Sequence, residues 1–302
     1  MDMNITFLGT ASSVPTAKRN HTGILVSFGS ENILVDCGEG IQRQFKIAKL
    51  NPCKLTRILI THWHGDHTFG LPGLLETLST SEYSKSLQIF GPPGTKEKFK
   101  LLEKIYGRFR INYTIEELSK KKLTIQEFLI ESSPMKHGIS TNAYAIQIKD
   151  KLRLDKSKIK KLNLPNSPVL AKLLEGKDII NPNTKKKVKS KDVTYMEKGK
   201  KLTIILDTSL NPNAISLAKN SDLLICESSF LSNSENGEKL AKEYNHITAK
   251  QAATIAKKSK SKKLILTHLS QRYDKSSSEI LDEAKLTFKN TQVAKDLDKV
   301  KI

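Results

Sequence analysis

The chain is short of several things that would otherwise set its character. Cysteine occurs three times in 302 residues, at Cys37, Cys53 and Cys226, an odd number with no paired spacing. That argues against a disulfide framework or a thiolate zinc site, and reduced, mostly buried thiols are expected. Long apolar runs are missing too, none approaching the roughly 20 residues of a membrane-spanning helix. The opening stretch Asn4-Ile5-Thr6-Phe7-Leu8-Gly9 has the form of a strand and lacks the long apolar core of a secretion signal, so a cytoplasmic protein is expected. Acidic residues are also scarce: 31 Asp and Glu stand against 51 Lys and Arg, a net charge of +20. A field of that sign favours polyanionic partners, nucleic acid before acidic membrane because no amphipathic anchor is evident. Lysine accounts for 44 of the 51 basic residues, a bias that also serves solubility.

What is present suits a globular protein. Charged residues make up 27% and hydrophobic ones 37%, and 302 residues can bury one large core or two small ones. Short apolar runs bounded by turn residues predict a three-stranded meander over residues 5–8, 23–28 and 32–35. A polar, basic loop, Pro15 to His21, joins the first two strands, and the third runs into Asp36-Cys37-Gly38-Glu39-Gly40. Helical patterns follow at residues 41–50, 74–78 and 95–105, with a strand at 87–90. Further buried-type strands are expected at 57–61, 201–206, 223–226 and 263–266. Thr248 is placed to cap a helix whose apolar positions are Ala252, Ala253, Ile255 and Ala256.

Residues 151–201 differ from the rest. They hold 16 basic and five acidic residues and so supply +11 of the net charge. Pro165, Pro168 and Pro182 interrupt the stretch, which includes Lys185-Lys186-Lys187-Val188-Lys189. With so little apolar content it is expected to lack a core of its own and to project as a basic arm that grips nucleic-acid phosphates.

The chemistry concentrates in His62-Trp63-His64-Gly65-Asp66-His67, directly after the predicted strand at 57–61. Three of the seven histidines fall within these six positions, with a carboxylate among them. Imidazole nitrogen and carboxylate oxygen are the ligands zinc takes up, and Gly65 is expected to permit a tight turn. Other candidates sit at strand ends: His137 before Gly138, Asp207 after residues 201–206, Glu227 after 223–226, and His268 after 263–266. Loops at one end of a sheet converge, so distant residues can meet there. His62, His64, Asp66, His67, His137, Asp207 and His268 are too many for one tetrahedral ion. They fit two cations about 3.5–4 Å apart sharing a carboxylate, and Asp207 is the natural bridge.

This series of motifs resembles the metallo-β-lactamase superfamily and, within it, the short form of the ribonuclease Z family of tRNA 3′-processing endonucleases. Beyond the histidine loop the likeness rests on Phe7-Leu8-Gly9-Thr10, Asp36 to Gly40, Gly70-Leu71-Pro72-Gly73-Leu74-Leu75, His246-Ile247-Thr248 and His268-Leu269-Ser270-Gln271-Arg272-Tyr273. It implies a single αββα four-layer domain over residues 1–302 with the inserted arm at 151–201. It further implies two zinc ions, with manganese as the alternative: one held by His62, His64 and His137, the other by Asp66, His67 and His268, with Asp207 bridging. Water activated there attacks the phosphorus of precursor tRNA. Asp66 is also the implied proton acceptor, His246 the proton donor to the leaving 3′ oxygen and Glu227 its orienting carboxylate. Arg19, Asn20 and Arg272 are the implied substrate contacts, and a homodimer is implied. His21 matches no motif and is expected at the surface. Two departures stand out. The basic loop has its lysine shifted by one in Pro15-Thr16-Ala17-Lys18-Arg19-Asn20, and Ser167-Pro168 stands where the family's arm has Gly-Pro. The rival readings are a phosphodiesterase of small esters in the same superfamily and a non-catalytic RNA-binding protein.

Overall fold

A computed structural model describes residues 1–302, which form two compact units: residues 1–147 with 200–302, and residues 148–199. Numbered in chain order, the strands are β1 (Asn4–Gly9), β2 (Gly23–Phe28), β3 (Glu31–Val35), β4 (Arg57–Leu59), β5 (Ser86–Gly91), β6 (Asn112–Glu117), β7 (Lys122–Ile125), β8 (Phe128–Pro134) and β9 (Asn142–Ile148). The smaller unit holds β10 (Lys151–Leu154), β11 (Ile179–Ile180), β12 (Lys187–Val188) and β13 (Thr194–Glu197). The larger unit resumes with β14 (Lys201–Ile205), β15 (Leu223–Glu227), β16 (Leu264–Thr267), β17 (Thr291–Val293) and β18 (Lys299–Lys301).

Two seven-stranded sheets build the larger unit. The first runs β18-β1-β2-β3-β4-β5-β6, antiparallel from β18 to β3 and parallel from β3 to β6. The second runs β17-β16-β15-β14-β9-β8-β7, parallel from β17 to β14. Side chains alternate across a strand, so each sheet buries both faces. Leu8, Leu25, Leu34, Ile58 and Ile89 pack on Ile41, Phe45, Leu74, Leu78 and Phe99 of the covering helices. Their neighbours Ile24, Val26, Phe28, Ile33 and Val35 lie buried on the opposite face. There the Phe28 ring meets Phe128 of β8 edge-on at 5.0 Å, and the Tyr144 hydroxyl of β9 donates to the Ile60 carbonyl at 2.7 Å.

On the far side of the second sheet, Ala145, Ile205, Leu224, Cys226 and Leu266 face helices Pro212–Leu217, Ala249–Lys258 and Ser277–Thr287. The alanine face of Ala249–Lys258 lets that helix lie close to the sheet. Thr248 caps it in a capping box with Gln251. The result is the expected αββα sandwich, with the predicted elements trimmed or extended by a few residues at their ends. The helix expected over 41–50 is Ile41–Ile47, and that over 74–78 is Leu71–Thr80.

The parallel segments decide where function is located. Parallel strands place their C-terminal ends on one edge. β3 and β4 therefore deliver Asp36 and His62 together, while β14, β15 and β16 deliver Asp207, Glu227 and His268 together.

The smaller unit corrects the expectation that this basic stretch has no core. Leu164, Leu173, Ile179, Val188 and Val193 are buried there, with Leu154, Ile159, Val169 and Leu170 packed around them. Its elements are short, two paired ribbons and helices such as Lys156–Lys161 and Val169–Leu174. Most turn a few apolar residues inward while many lysines stay exposed, so a low apolar fraction still closes a small core. Its limits also differ from the predicted 151–201: Lys201 opens β14 of the larger unit.

Candidate metal centre

Seven predicted ligands meet at the strand ends. His62, His64, His137 and Asp207 form one cluster of donor atoms, and Asp66, His67, Asp207 and His268 form another. Asp207 belongs to both, and its two oxygens face different ways. Oδ1 lies 3.0 Å from His268 Nε2 and 3.3 Å from His67 Nε2. Oδ2 lies 3.6 Å from both His62 Nε2 and His137 Nε2.

Surrounding groups fix how the rings present themselves. His67 Nδ1 donates to Asp36 Oδ2 at 2.7 Å. His62 Nδ1 sits 3.0 Å from Thr61 Oγ1, whose own hydrogen goes to Asp36 Oδ2 at 2.7 Å, so the imidazole must donate. On the opposite side His137 Nδ1 donates to the Asn245 carbonyl at 3.0 Å. His268 Nδ1 donates to Ser229 Oγ at 3.2 Å, and Ser229 Oγ donates to Glu227 Oε2 at 2.7 Å. Four histidines thus spend Nδ1–H outward and turn a bare Nε2 inward, the arrangement that second partners impose on metal-binding imidazole. His64 is reversed, its Nδ1 lying 3.0 Å from His62 Nε2 and 3.2 Å from His137 Nε2. Asp36 and His268 both adopt φ near 58°, a left-handed backbone that non-glycine residues rarely occupy, at the two strand ends where side chains must turn inward.

The donor set fits divalent cations. His67 Nε2 and His268 Nε2 are 3.1 Å apart, and acceptor nitrogens held that close repel unless positive charge lies among them. Asp207 Oδ1 is buried and accepts no hydrogen bond. Burial works against charge on Asp207, yet the surrounding imidazoles of His268, His67, His246 and His62 hold it well below the usual carboxylate range. Asp66 is likewise held low against its burial by His268 and His67. Burial lowers the basicity of His62. Burial opposes charge on His67 as well, but Asp207 and Asp36 flank it and raise its pKa well above that of free imidazole. The position favours positive charge.

His246 stands beside this centre, its Nε2 3.9 Å from Asp207 Oδ2 and its Nδ1 3.0 Å from Glu227 Oε2. Burial disfavours the imidazolium, but Glu227 and Asp207 outweigh it and the pKa is pushed up to about 9. A pocket of about 320 Å³ opens over these groups, lined also by Ser12, Ser13, Phe230, Tyr244 and Arg272.

Three expectations are corrected. Arg19 is buried: its Nη1 donates to Thr10 Oγ1 at 2.6 Å and the Ala294 carbonyl at 2.7 Å, so the guanidinium ties down the chain rather than facing the pocket. Asn20 similarly donates to the Glu39 carbonyl at 2.7 Å. His21 is 5% exposed instead of lying at the surface, because its backbone bridges to Ala11 and its Cβ packs against Gly38, where any added Cβ would come within 2.5 Å of it. Gly65, by contrast, stands where a Cβ is obstructed, as expected: it opens the short helix Gly65–Thr68, and a Cβ there would strike the Phe69 ring at 2.2 Å. Arg272 does reach the pocket and is exposed. The supporting residues Asp36, Thr61, Ser229 and Asn245 were not singled out from sequence. Asp36 alone had a usable signal, a carboxylate at a strand end like Asp207.

Comparison with known proteins narrows the family. The model of a family described as "Anti-Pycsar protein Apyc1" matches residues 3–156, which include the histidine loop and His137 but end before Asp207. Ribonuclease Z of Nanoarchaeum equitans is 38% identical over 299 residues, covering 97% of this chain and 92% of the relative. The chain belongs to the ribonuclease Z family. The Archaeoglobus fulgidus member of that family is also 38% identical, over 98% of this chain and 96% of its own. Among solved structures, the short form of human tRNase Z superposes with a TM-score of 0.69 at 25% identity, covering 98% of each chain. These ribonuclease Z relatives extend across Asp207, Glu227, His246 and His268, the half of the centre that the shorter match leaves out.

Proposed function

We propose that the chain is a metal-dependent endoribonuclease that removes the 3′ trailer from precursor tRNA by phosphodiester hydrolysis, leaving a 3′-hydroxyl on the tRNA. The observation that carries this is Asp207, whose two oxygens address two separate histidine groups within a ribonuclease Z family chain. His62, His64 and His137 would hold one cation, Asp66, His67 and His268 a second, with Asp207 shared between them. Two divalent ions, zinc first and manganese as the alternative, would neutralise phosphoryl charge and acidify water.

The chain's own residues supply the rest. Asp66, kept ionised by its neighbours, accepts a proton as well as serving as ligand. His246 offers its Nε2 proton to the leaving 3′ oxygen, and Glu227 holds the ring in that orientation through Nδ1. Arg272, exposed at the rim, draws the phosphate chain inward. The exposed lysines of residues 148–199, Lys185, Lys186 and Lys187 among them, grip the tRNA backbone outside the site. Arg19 and Asn20 hold the loop that presents Ser12 and Ser13 instead of contacting RNA. A cytoplasmic homodimer, each subunit's arm holding tRNA for its partner's site, completes the reading.

The decisive experiment incubates purified protein with a 3′-extended precursor tRNA, with and without chelator, and maps the cut. A single cut releasing the trailer, lost on chelation and restored by zinc or manganese, is expected. An intact precursor alongside rapid hydrolysis of a small diester would favour the second reading, a small-ester phosphodiesterase, for which the modest pocket volume is the supporting observation. Asp66→Ala is expected to abolish turnover while leaving tRNA binding largely intact; equal loss of both would contradict its role.

A further inference from the structure

The lining of the pocket is chemically mixed. Ser12, Ser13, Ser229 and Ser270 bring hydroxyls to it, whereas Phe230 and Tyr244 bring paired aromatic rings, with Arg272 against the first of them. The Phe230 and Tyr244 rings are almost parallel, 9° apart with centroids 6.3 Å apart, so the buried ring backs the exposed one in a stacked pair. The Arg272 guanidinium lies over the Phe230 ring at 5.2 Å. Phe230 is fixed: its backbone bridges to Thr248, its carbonyl accepts from Ala249 N at 2.9 Å, and the residue is 5% exposed. Tyr244 caps the end of helix Gly237–Glu243 and keeps 55% of its surface exposed. Two residues beyond it stands His246, whose ring lies 6.1 Å from that of Phe230. A half-exposed aromatic ring, backed by a second ring and set in a lining otherwise rich in polar groups, suits a flat π-system. Unpaired bases at RNA ends are held in this way, on aromatic faces and guanidinium planes.

We propose that Tyr244, backed by Phe230, forms a stacking subsite for the nucleobase next to the scissile phosphate, on the side whose 3′ oxygen leaves beside His246. This rests on the tRNA-cleaving reading above and adds to it a contact to a base, independent of the base's identity because every base has a π-face. Of the two rings Tyr244 is the exposed one and therefore the one to alter; the packing its substitution removes is its contact with Phe230.

The test measures kcat/KM on two precursor tRNAs, one intact and one abasic at the nucleotide 5′ to the cut, for wild type, Tyr244→Ala and Tyr244→Phe. Tyr244→Ala is expected to cut the intact precursor about ten-fold less efficiently, and Tyr244→Phe to stay within about two-fold of wild type. Removing the base should cost wild type about the same ten-fold and cost Tyr244→Ala nothing further. A purely structural effect of the substitution would leave the abasic penalty in place. The subsite is overturned if Tyr244→Ala cuts the intact precursor as well as wild type does, if Phe and Ala fall equally, or if the abasic penalty persists in Tyr244→Ala. Failure of wild type to cut the intact precursor at all would instead defeat the proposed tRNA function.

Discussion

The two sides of the centre are built by different means. The first sheet contributes His62, His64, Asp66 and His67 from one continuous loop after β4, so four donors depend on one local backbone. The second sheet contributes His137, Asp207, His246 and His268 from four separate loops, and their meeting depends on the register of β14, β15 and β16. Yet the outer support is alike. On the first side Asp36, buried, receives His67 directly and His62 through Thr61. On the second side Glu227, also buried, receives His246 directly and His268 through Ser229. One carboxylate sets the tautomer and aim of two rings on each side, whether the donors are neighbours in sequence or not. The local loop gives a compact set of candidate ligands; the dispersed loops give the shared carboxylate and the proposed proton donor.

Substitutions can break this comparison at graded cost. The largest effect belongs to the residue common to both clusters: Asp207→Ala is expected to lower precursor cleavage by about 10³-fold or more, since both proposed cations lose a ligand. A variant retaining a tenth of wild-type turnover would contradict its shared role. Next come the supports. Asp36→Asn keeps a residue type that tolerates the left-handed backbone but loses the charge behind His67, and should cost about 10- to 100-fold in metal affinity, read by competition with a chromogenic chelator. Glu227→Gln is expected to cost turnover by about ten-fold with a much smaller loss of metal than Asp36→Asn, because it touches His246 directly but the metal-holding His268 only through Ser229. Equal losses of metal in Asp36→Asn and Glu227→Gln would erase the distinction between the sides. Smallest on catalysis is the full-chain variant Lys185→Gln, Lys186→Gln, Lys187→Gln. It should weaken tRNA binding and flatten its salt dependence, by up to about one unit of slope for each phosphate no longer neutralised, while small-diester hydrolysis is unchanged. A parallel fall in both activities would remove the arm from RNA recognition.

How much of this the sequence disclosed follows from the same contrast. The histidine loop was legible because its donors are contiguous and follow an apolar strand. Asp207, Glu227 and His268 were legible only as polar residues ending buried strands, and their convergence needed the sheet to be assembled. Asp36 ends β3 in the same way, but its hydrogen bonds with His67 and Thr61 are a matter of tertiary geometry that no spacing reveals. Arg19 reads as a substrate contact and His21 as a surface residue because their loop is polar and basic. The structure buries them because the loop is pinned between the Thr10 strand end, Ala294 and Gly38. In the basic insertion, charge hid the core: Leu164, Leu173, Ile179, Val188 and Val193 are spread over elements too short to show a period. Helix Ser277–Thr287 and edge strands β6 and β7 give little signal in the sequence for a related reason, since charged and half-exposed residues blur their apolar faces.

Central to the account is that residues from position 62 to 268 together bind a pair of cations. Metal analysis of purified wild-type protein beside Asp207→Ala tests it most directly. Two zinc or manganese ions per wild-type chain, with marked loss in the variant, are the predicted result. Less than one ion per wild-type chain after incubation with either metal would contradict it.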